Sequence, residues 1–202
     1  MPAFEGSKIL YPDIYEHQSF VWDTSGTYAA NTCYFVPTTE RWITALLNSP
    51  LVEWFYSKIS NSVRGGYLRA FTDYITRIPV CEIEEHAKSC LKLVMDIIQW
   101  LSLTGGLEPI PHDVLMLGYF EQLLNGLVYE LYFGDELHEA GIGIFDLVAN
   151  AKLPAMESIP EAQRLKRLRE IFETIYHLDH PIRGALFSLQ SLETVRIIEG
   201  KV

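Results

Sequence analysis

The chain has 202 residues, of which 49% are hydrophobic and 21% charged, with a formal net charge of −10. That balance excludes a disordered tail and is enough to bury one large core or two small ones. No apolar run is long enough to cross a membrane, since the best stretch, from Leu91 to Leu103, is interrupted by Lys92, Asp96 and Gln99. No apolar core follows a basic start, so no secretory signal is expected. Cys33, Cys81 and Cys90 are odd in number and lack zinc-type spacing, which suits reduced thiols in a cytoplasm. The charge is uneven. Residues 1–80 carry six Lys/Arg and seven Asp/Glu, whereas the remainder carries ten and nineteen. The front of the chain is therefore near neutral, and the back is not an obvious surface for a polyanion.

In chain order, Lys8–Tyr11 reads as a strand closed by Pro12. Ser19–Trp22 reads as a second strand, followed by a turn over Asp23-Thr24-Ser25-Gly26. A third is expected from Tyr28 to Val36, ending at Pro37. Thr38 or Thr39 is placed to cap a helix over Trp42, Ala45, Leu46 and Leu47. Ser49-Pro50 opens another, with Ser as cap, Pro in the first turn and Glu53 near the positive end of the dipole. Its apolar stripe is Leu51, Phe55 and Ile59, with Val52 and Tyr56 alongside.

From Glu82 the period lengthens. Ile83, Ala87, Cys90/Leu91, Val94, Ile97/Ile98 and Leu101 recur at helical spacing up to Gly105-Gly106. A second helix is expected with Val114, Leu117, Phe120, Leu123/Leu124, Leu127/Val128 and Leu131 buried, and with Gly134 as its stop. A third begins around Ser158-Ile159-Pro160-Glu161 and carries Leu165, Leu168, Ile171/Phe172 and Ile175/Tyr176. Pro181 and Gly184 read as breaks, and Val195-Arg196-Ile197-Ile198 as a short strand. The expected fold class is α+β. A small mixed unit over residues 1–80 precedes a mainly helical region over 81–202.

Lys58 to Val80 is the stretch with the most chemistry. Lys58, Arg64, Arg69 and Arg77 stand there against one acid, Asp73. Gly65 and Gly66 free the backbone for a sharp turn or a close approach. After them, Tyr67, Arg69 and Phe71 alternate with Leu68 and Ala70, which puts the first three on one face of an extended segment. A basic, aromatic, glycine-hinged loop suits a phosphate backbone and base edges; a solvated hairpin that neutralises nearby acids is the plainer alternative.

Other clusters are weaker. His177-Leu178-Asp179-His180 offers two imidazoles and a carboxylate, but imidazolium at a helix end is favourable without any ligand. Glu136, His138 and Glu139 read as a solvated turn after a helix. Trp22, Trp42, Trp54 and Trp100 lie in apolar patterns and default to packing. The sequence holds no glycine-rich nucleotide cradle, no Gly-x-Ser-x-Gly elbow and no zinc-protease helix. It also has no Asn/Asp-Pro-Pro-aromatic segment of an amino-methyltransferase and no Asp with Glu-x-Lys of common nucleases.

A family resemblance rests on an ordered set of short segments. They are Lys8-Ile9-Leu10-Tyr11-Pro12-Asp13-Ile14, Gly26-x-Tyr28, Asn31-Thr32-Cys33-Tyr34-Phe35-Val36-Pro37 and Ala45-Leu46-Leu47-Asn48-Ser49. Lys58-Ile59-Ser60, Arg64-Gly65-Gly66-Tyr67 and Ile78-Pro79-Val80 complete it. Together, over residues 8 to 80, they resemble the TaqI-like C-terminal specificity domain of adenine-specific DNA methyltransferases and fused type II restriction-methylation enzymes. The helical region is similar, more weakly, to tails of the fused enzymes through His180-Pro181-Ile182-Arg183 and Val195-Arg196-Ile197-Ile198-Glu199-Gly200.

The resemblance implies a target recognition domain for double-stranded DNA. In such enzymes a separate N-terminal domain binds S-adenosylmethionine, flips the target adenine and methylates it, and the specificity domain reads the sequence in the major groove. The cofactor, with Mg2+ where a nuclease is fused, would belong to the methyltransferase and nuclease domains of a parent polypeptide. This chain is then expected to be a fragment with no catalytic or metal-binding residues of its own. On the resemblance, Arg64 and Arg69 donate to guanine edges or phosphates, and Lys58 and Arg77 contact phosphates. Tyr67 stacks or bonds a phosphate, and Gly65 and Gly66 permit the approach. Asn61 and Ser62 could read bases or cap the preceding helix.

Two rival readings remain at this point: a docking module built on the acidic helical region, and a metal-dependent hydrolase using His177 and His180. The missing cofactor motifs generate a direct expectation. Titration calorimetry of this chain with S-adenosylmethionine should give no binding heat; stoichiometric micromolar binding would contradict it.

Overall fold

The computed structural model describes residues 2–60, 66–103, 107–108 and 110–201. The chain is α+β. It divides into two compact units, Met1–Glu82 and Ile83–Val202.

The first unit begins with a short helix α1 (Pro2–Glu5), which the sequence reading lacked. Strand β1 (Lys8–Pro12) forms the centre of a three-stranded antiparallel sheet between β3 (Val21–Asp23) and β4 (Cys33–Pro37). Lys8 opposes Asp23, and Ile9 opposes both Trp22 and Val36. The third strand is shorter than expected: residues 28–32 lie outside the ladder, so Tyr28 is left largely exposed, stacked on Phe4. Lys8 is wholly buried, with its ammonium 2.6 Å from Asp23 Oδ2 and 2.9 Å from the Phe4 carbonyl. Burial would raise the Asp23 pKa, but the Lys8 ammonium and the Ser25 hydroxyl and N–H outweigh it and hold the carboxyl near 2.

Strand β2 (Ile14–Tyr15) turns away from that sheet into a second, two-stranded one. Helix α2 (Ile43–Leu47) starts without a side-chain cap; the Thr38 hydroxyl instead accepts from the Glu40 N–H. Helix α3 (Pro50–Ile59) starts as expected, with the Ser49 hydroxyl accepting from the Val52 N–H and Pro50 in the first turn. Its buried face is Leu51, Val52 and Tyr56, a rotation away from the expected stripe, because Phe55 and Ile59 are only half buried.

The second unit is helical. After β5 (Leu68–Arg69) and α4 (Thr72–Ile75) close the first unit, helix α5 (Glu85–Leu103) packs on α6 (Pro111–Glu139). Gly134 does not stop α6: the backbone departs from helical geometry at Phe133 (φ −128°, ψ 32°) and the helix resumes. Glu136, His138 and Glu139 therefore lie on a helix and not in a turn. The first turns of α6 are also rotated from expectation. Val114 is 65% exposed, whereas Asp113, Met116 and Tyr119 are buried.

The cause is Asp113. Arg169 of α8 (Arg164–Ile175) meets its carboxylate with two parallel bonds, Nε to Oδ1 at 2.9 Å and Nη2 to Oδ2 at 2.7 Å. Asp113 also accepts from the Glu108 N–H at 3.1 Å. A second buried carboxylate, Glu130, caps α7 (Ile144–Ala151) by accepting from the N–H groups of Ile144 and Phe145, and it also meets His138 Nε2 at 2.8 Å. Gly126 lets α7 come close, since a Cβ there would lie 2.5 Å from Ile144 Cδ1. Pro181 opens α9 (Pro181–Leu189) instead of breaking the chain, because a first-turn proline lacks only an N–H that has no partner anyway. The expected tail strand is helix α10 (Glu193–Ile198), whose i, i+3 pair Val195 and Ile198 is buried. With no strand beside it among the described residues, packing overrides β-branched preference.

The Asp113–Arg169 pair carries a prediction. The Arg169 hydrogen bonds hold the Asp113 carboxyl at about 2, below its unfolded value. Its stabilisation is therefore complete above about pH 4 and is lost as pH falls through 2. Asp113→Ala should cost about 2 kcal/mol, at the low end for such pairs because Arg169 is partly exposed and can rehydrate. Urea unfolding between pH 6 and pH 2 should show a smaller acid loss in the variant.

Candidate nucleic-acid interface

Beyond the undescribed residues 61–65, the chain re-enters at Gly66 with φ +88°, the left-handed region that glycine adopts without strain. Strand β5 (Leu68–Arg69) follows and pairs antiparallel with β2, with Ile14 opposite Arg69 and Tyr15 opposite Leu68. The Ala70 N–H extends the pairing to the Asp13 carbonyl at 2.8 Å. Period-two alternation then sorts the side chains as expected. Leu68 and Ala70 are buried, while Tyr67 and Phe71 keep 40% and 42% exposure and half-buried Arg69 keeps 41% of its side chain exposed on the opposite face.

The backbone of this segment is held from behind by α3. Buried Tyr56 donates its hydroxyl to the Arg69 carbonyl at 2.5 Å. Burial, reinforced by neighbouring Tyr11 and Tyr74, pushes the Tyr56 pKa up to about 12, so the phenol stays protonated and remains a donor. In front, the Arg69 guanidinium lies 5.1 Å from the Phe71 ring centroid, and its Nη2 is 3.4 Å from Asp13 Oδ2.

A short helix, α4 (Thr72–Ile75), interrupts what reads in sequence as continuous loop. It carries Tyr74, whose ring meets those of Phe71 and Tyr56 at 6.3 Å. Arg77 rests over Tyr74 at 5.7 Å. Asp13, Arg69, Phe71, Tyr74 and Arg77 thus form one contiguous run of cation and ring contacts. Lys58, in the last turn of α3, is exposed and lies 5.6 Å over Trp54. Among the described residues, neither Lys58 nor Arg77 has a carboxylate within ion-pair distance. Asn61, Ser62, Arg64 and Gly65 lie outside the described residues.

Asp13 is the residue that sequence reasoning missed. It lies 56 positions from Arg69, and only the β2–β5 pairing brings the two together. A cavity of about 290 Å³ beside α4, lined by Tyr11, Tyr34, Phe35, Thr72, Ile75 and Thr76, is apolar and at the small end for a ligand pocket. In the second unit, His180 is committed to the start of α9, where its Nδ1 accepts from the Ile182 N–H, and His177 and Asp179 are exposed. Among the described residues, no group of three His, Cys, Asp or Glu side chains is placed to hold a metal ion. No described helix is long and apolar enough to cross a membrane.

Tyr67, Arg69 and Phe71 thus form an outward row of rings and a cation on a two-stranded edge braced by Tyr56. Residues 2–80 match the family model of the TaqI-like C-terminal specificity domain. The match ends where the helical unit begins, and it supports target recognition of the restriction-modification kind. No curated protein and no solved structure matches the chain.

Gly66 gives a prediction here. A Cβ at Gly66 would meet nothing within 4 Å, so a substitution is penalised by its φ alone. Gly66→Ala should cost about 1 kcal/mol and Gly66→Val more, while Gly66→Asn should cost least, as read from denaturant midpoints.

Proposed function

We propose that this chain reads a double-stranded DNA sequence on behalf of a type II restriction-modification enzyme or adenine-specific DNA methyltransferase. What carries the reading is the coincidence of the specificity-domain match over residues 2–80 with the exposed, braced Tyr67–Arg69–Phe71 face inside it. The sequence lacks an Asn/Asp-Pro-Pro-aromatic segment, so methyl transfer from S-adenosylmethionine is assigned to another domain of the parent polypeptide, and so is any Mg2+-dependent cleavage. This chain then positions the duplex. Lys58 and Arg77 contact phosphates, Arg69 reads a base edge, and Tyr67 stacks or bonds a phosphate. Arg64 shares the base-reading role on the family resemblance, with Gly65 and Gly66 permitting the approach and Asn61 and Ser62 beside them.

An acidic protein must bind DNA through a local patch, because its overall field is repulsive. Lys58 and Arg77 suit that task, being exposed and without a carboxylate partner among the described residues. The helical unit supports a docking role on a separate observation: Leu103, Ile110, Val114 and Leu115 are exposed apolar side chains near the α5–α6 connection. Its partner is then the catalytic part of the same polypeptide, in a cytoplasmic setting.

Fluorescence anisotropy of the full polypeptide on labelled duplexes tests the reading. Lys58→Ala and Arg77→Ala should each weaken every duplex alike and flatten the salt dependence by about one ion. Unchanged affinity and salt slope in both variants would remove the phosphate-contact role.

A further inference from the structure

The inference rests on the DNA-reading role just proposed and concerns Asp13. This chain contains two Arg–Asp pairs of the same kind in different states. At Asp113–Arg169 the side-on edge of the guanidinium is fully engaged, with Nε on Oδ1 and Nη2 on Oδ2 at 2.9 and 2.7 Å. At Asp13–Arg69 only Nη2 and Oδ2 meet, at 3.4 Å. Arg69 Nε and Asp13 Oδ1 are both buried and have no hydrogen-bond partner among the described residues. These are the two atoms whose pairing would complete the side-on contact. Two buried, unsatisfied charged-group atoms are costly in a native fold, so their retention calls for a reason.

The arginine's donor geometry supplies one. A guanidinium has five N–H groups on a rigid fork. Its side-on edge consists of Nε and one terminal nitrogen, and its end-on edge of the two terminal nitrogens. A carboxylate on the first edge leaves the second free to meet two acceptors at once. In DNA, the major-groove edge of guanine presents that acceptor pair as O6 and N7. Arg69 is arranged for this division. Its Nε is inside, yet its side chain keeps 41% exposure, and Asp13 beside it keeps 18%. Its carbonyl is fixed by Tyr56, and Phe71 supports one face of the fork.

We propose that Asp13 is a positioning residue for base recognition. It takes the side-on edge of Arg69 and aims the end-on edge at one guanine in the major groove. The pair is open in the free protein and closes to the two-point form when guanine orients the fork. The chemical class recognised is a G·C pair in duplex DNA. An acid beside a DNA surface otherwise only repels phosphates, so its placement against the half-exposed arginine is the observation that calls for this role.

The test uses the full polypeptide and a pool of duplexes randomised over ten central base pairs, with bound and unbound fractions sequenced. Overall affinity is measured in parallel on one non-specific duplex, and folding by circular dichroism. Wild type should prefer guanine at a position where Arg69→Lys loses about tenfold or more of that preference, since lysine keeps the charge but not the fork. Asp13→Asn should weaken the preference at the same position, while binding to the non-specific duplex stays constant or rises because a repulsive charge has gone. A merely structural Asp13 would lower both, and a merely neutralising one would raise all binding with preferences intact; either result overturns the proposal. Should Asp13→Asn fail to fold, Arg69→Lys still decides, because retained guanine preference there removes the reader that Asp13 is said to position. Absence of any duplex binding by wild type would instead overturn the DNA-reading role itself.

Discussion

Arg69 projects outward because its backbone is held on the opposite side. The hold is a single hydrogen bond from a buried phenol, Tyr56 to the Arg69 carbonyl, added to a two-residue pairing with β2. A strand pair this short has little stability of its own. Without the helix behind it, residues 67–71 would have no fixed face. The tyrosine cluster of Tyr11, Tyr15, Tyr56 and Tyr74 connects the two small sheets, α3 and α4 around that point. The candidate surface is thus an edge whose rigidity comes from a neighbouring aromatic core.

The second unit solves a similar problem with charge. Asp113 and Glu130 are buried carboxylates, and each is matched to donors at a helix end or on a facing helix. Such pairs add little net stability over apolar replacements but impose a strong penalty on misplacement. They fix how α6 sits against α7 and α8. Apolar stripes alone would tolerate small rotations of the kind that displaced Val114 from its expected burial.

What could be read from the sequence was local. Ser49 and Pro50 announce a helix start because the cap bond spans three residues. The alternation from Tyr67 to Phe71 sorts inside from outside because strand geometry has period two. The period over residues 85–103 identifies a helix for the same reason. What could not be read joins distant positions. Asp13 with Arg69, and Asp113 with Arg169, are each separated by 56 residues, and no local pattern marks either. Single-residue signals failed where context decides their meaning. Pro181 begins a helix, Gly134 only bends one, and Val195–Ile198 coils because two of its side chains find a core. Within the candidate surface, the cations and rings were visible, and the acid that meets Arg69 was not.

The buried Lys8–Asp23 pair in the first sheet has a consequence for how that sheet assembles. The two residues face each other in the antiparallel register, and the ammonium also takes up the Phe4 carbonyl. A slip of one residue between β1 and β3 would turn alternate side chains to the wrong side and strand a full charge in a dry interior. The intended alignment is then separated from its nearest competitors by a penalty larger than the few apolar contacts of a three-residue strand could supply. In that sense the pair acts as a checksum on the ladder: it rejects wrong pairings during folding more than it strengthens the right one.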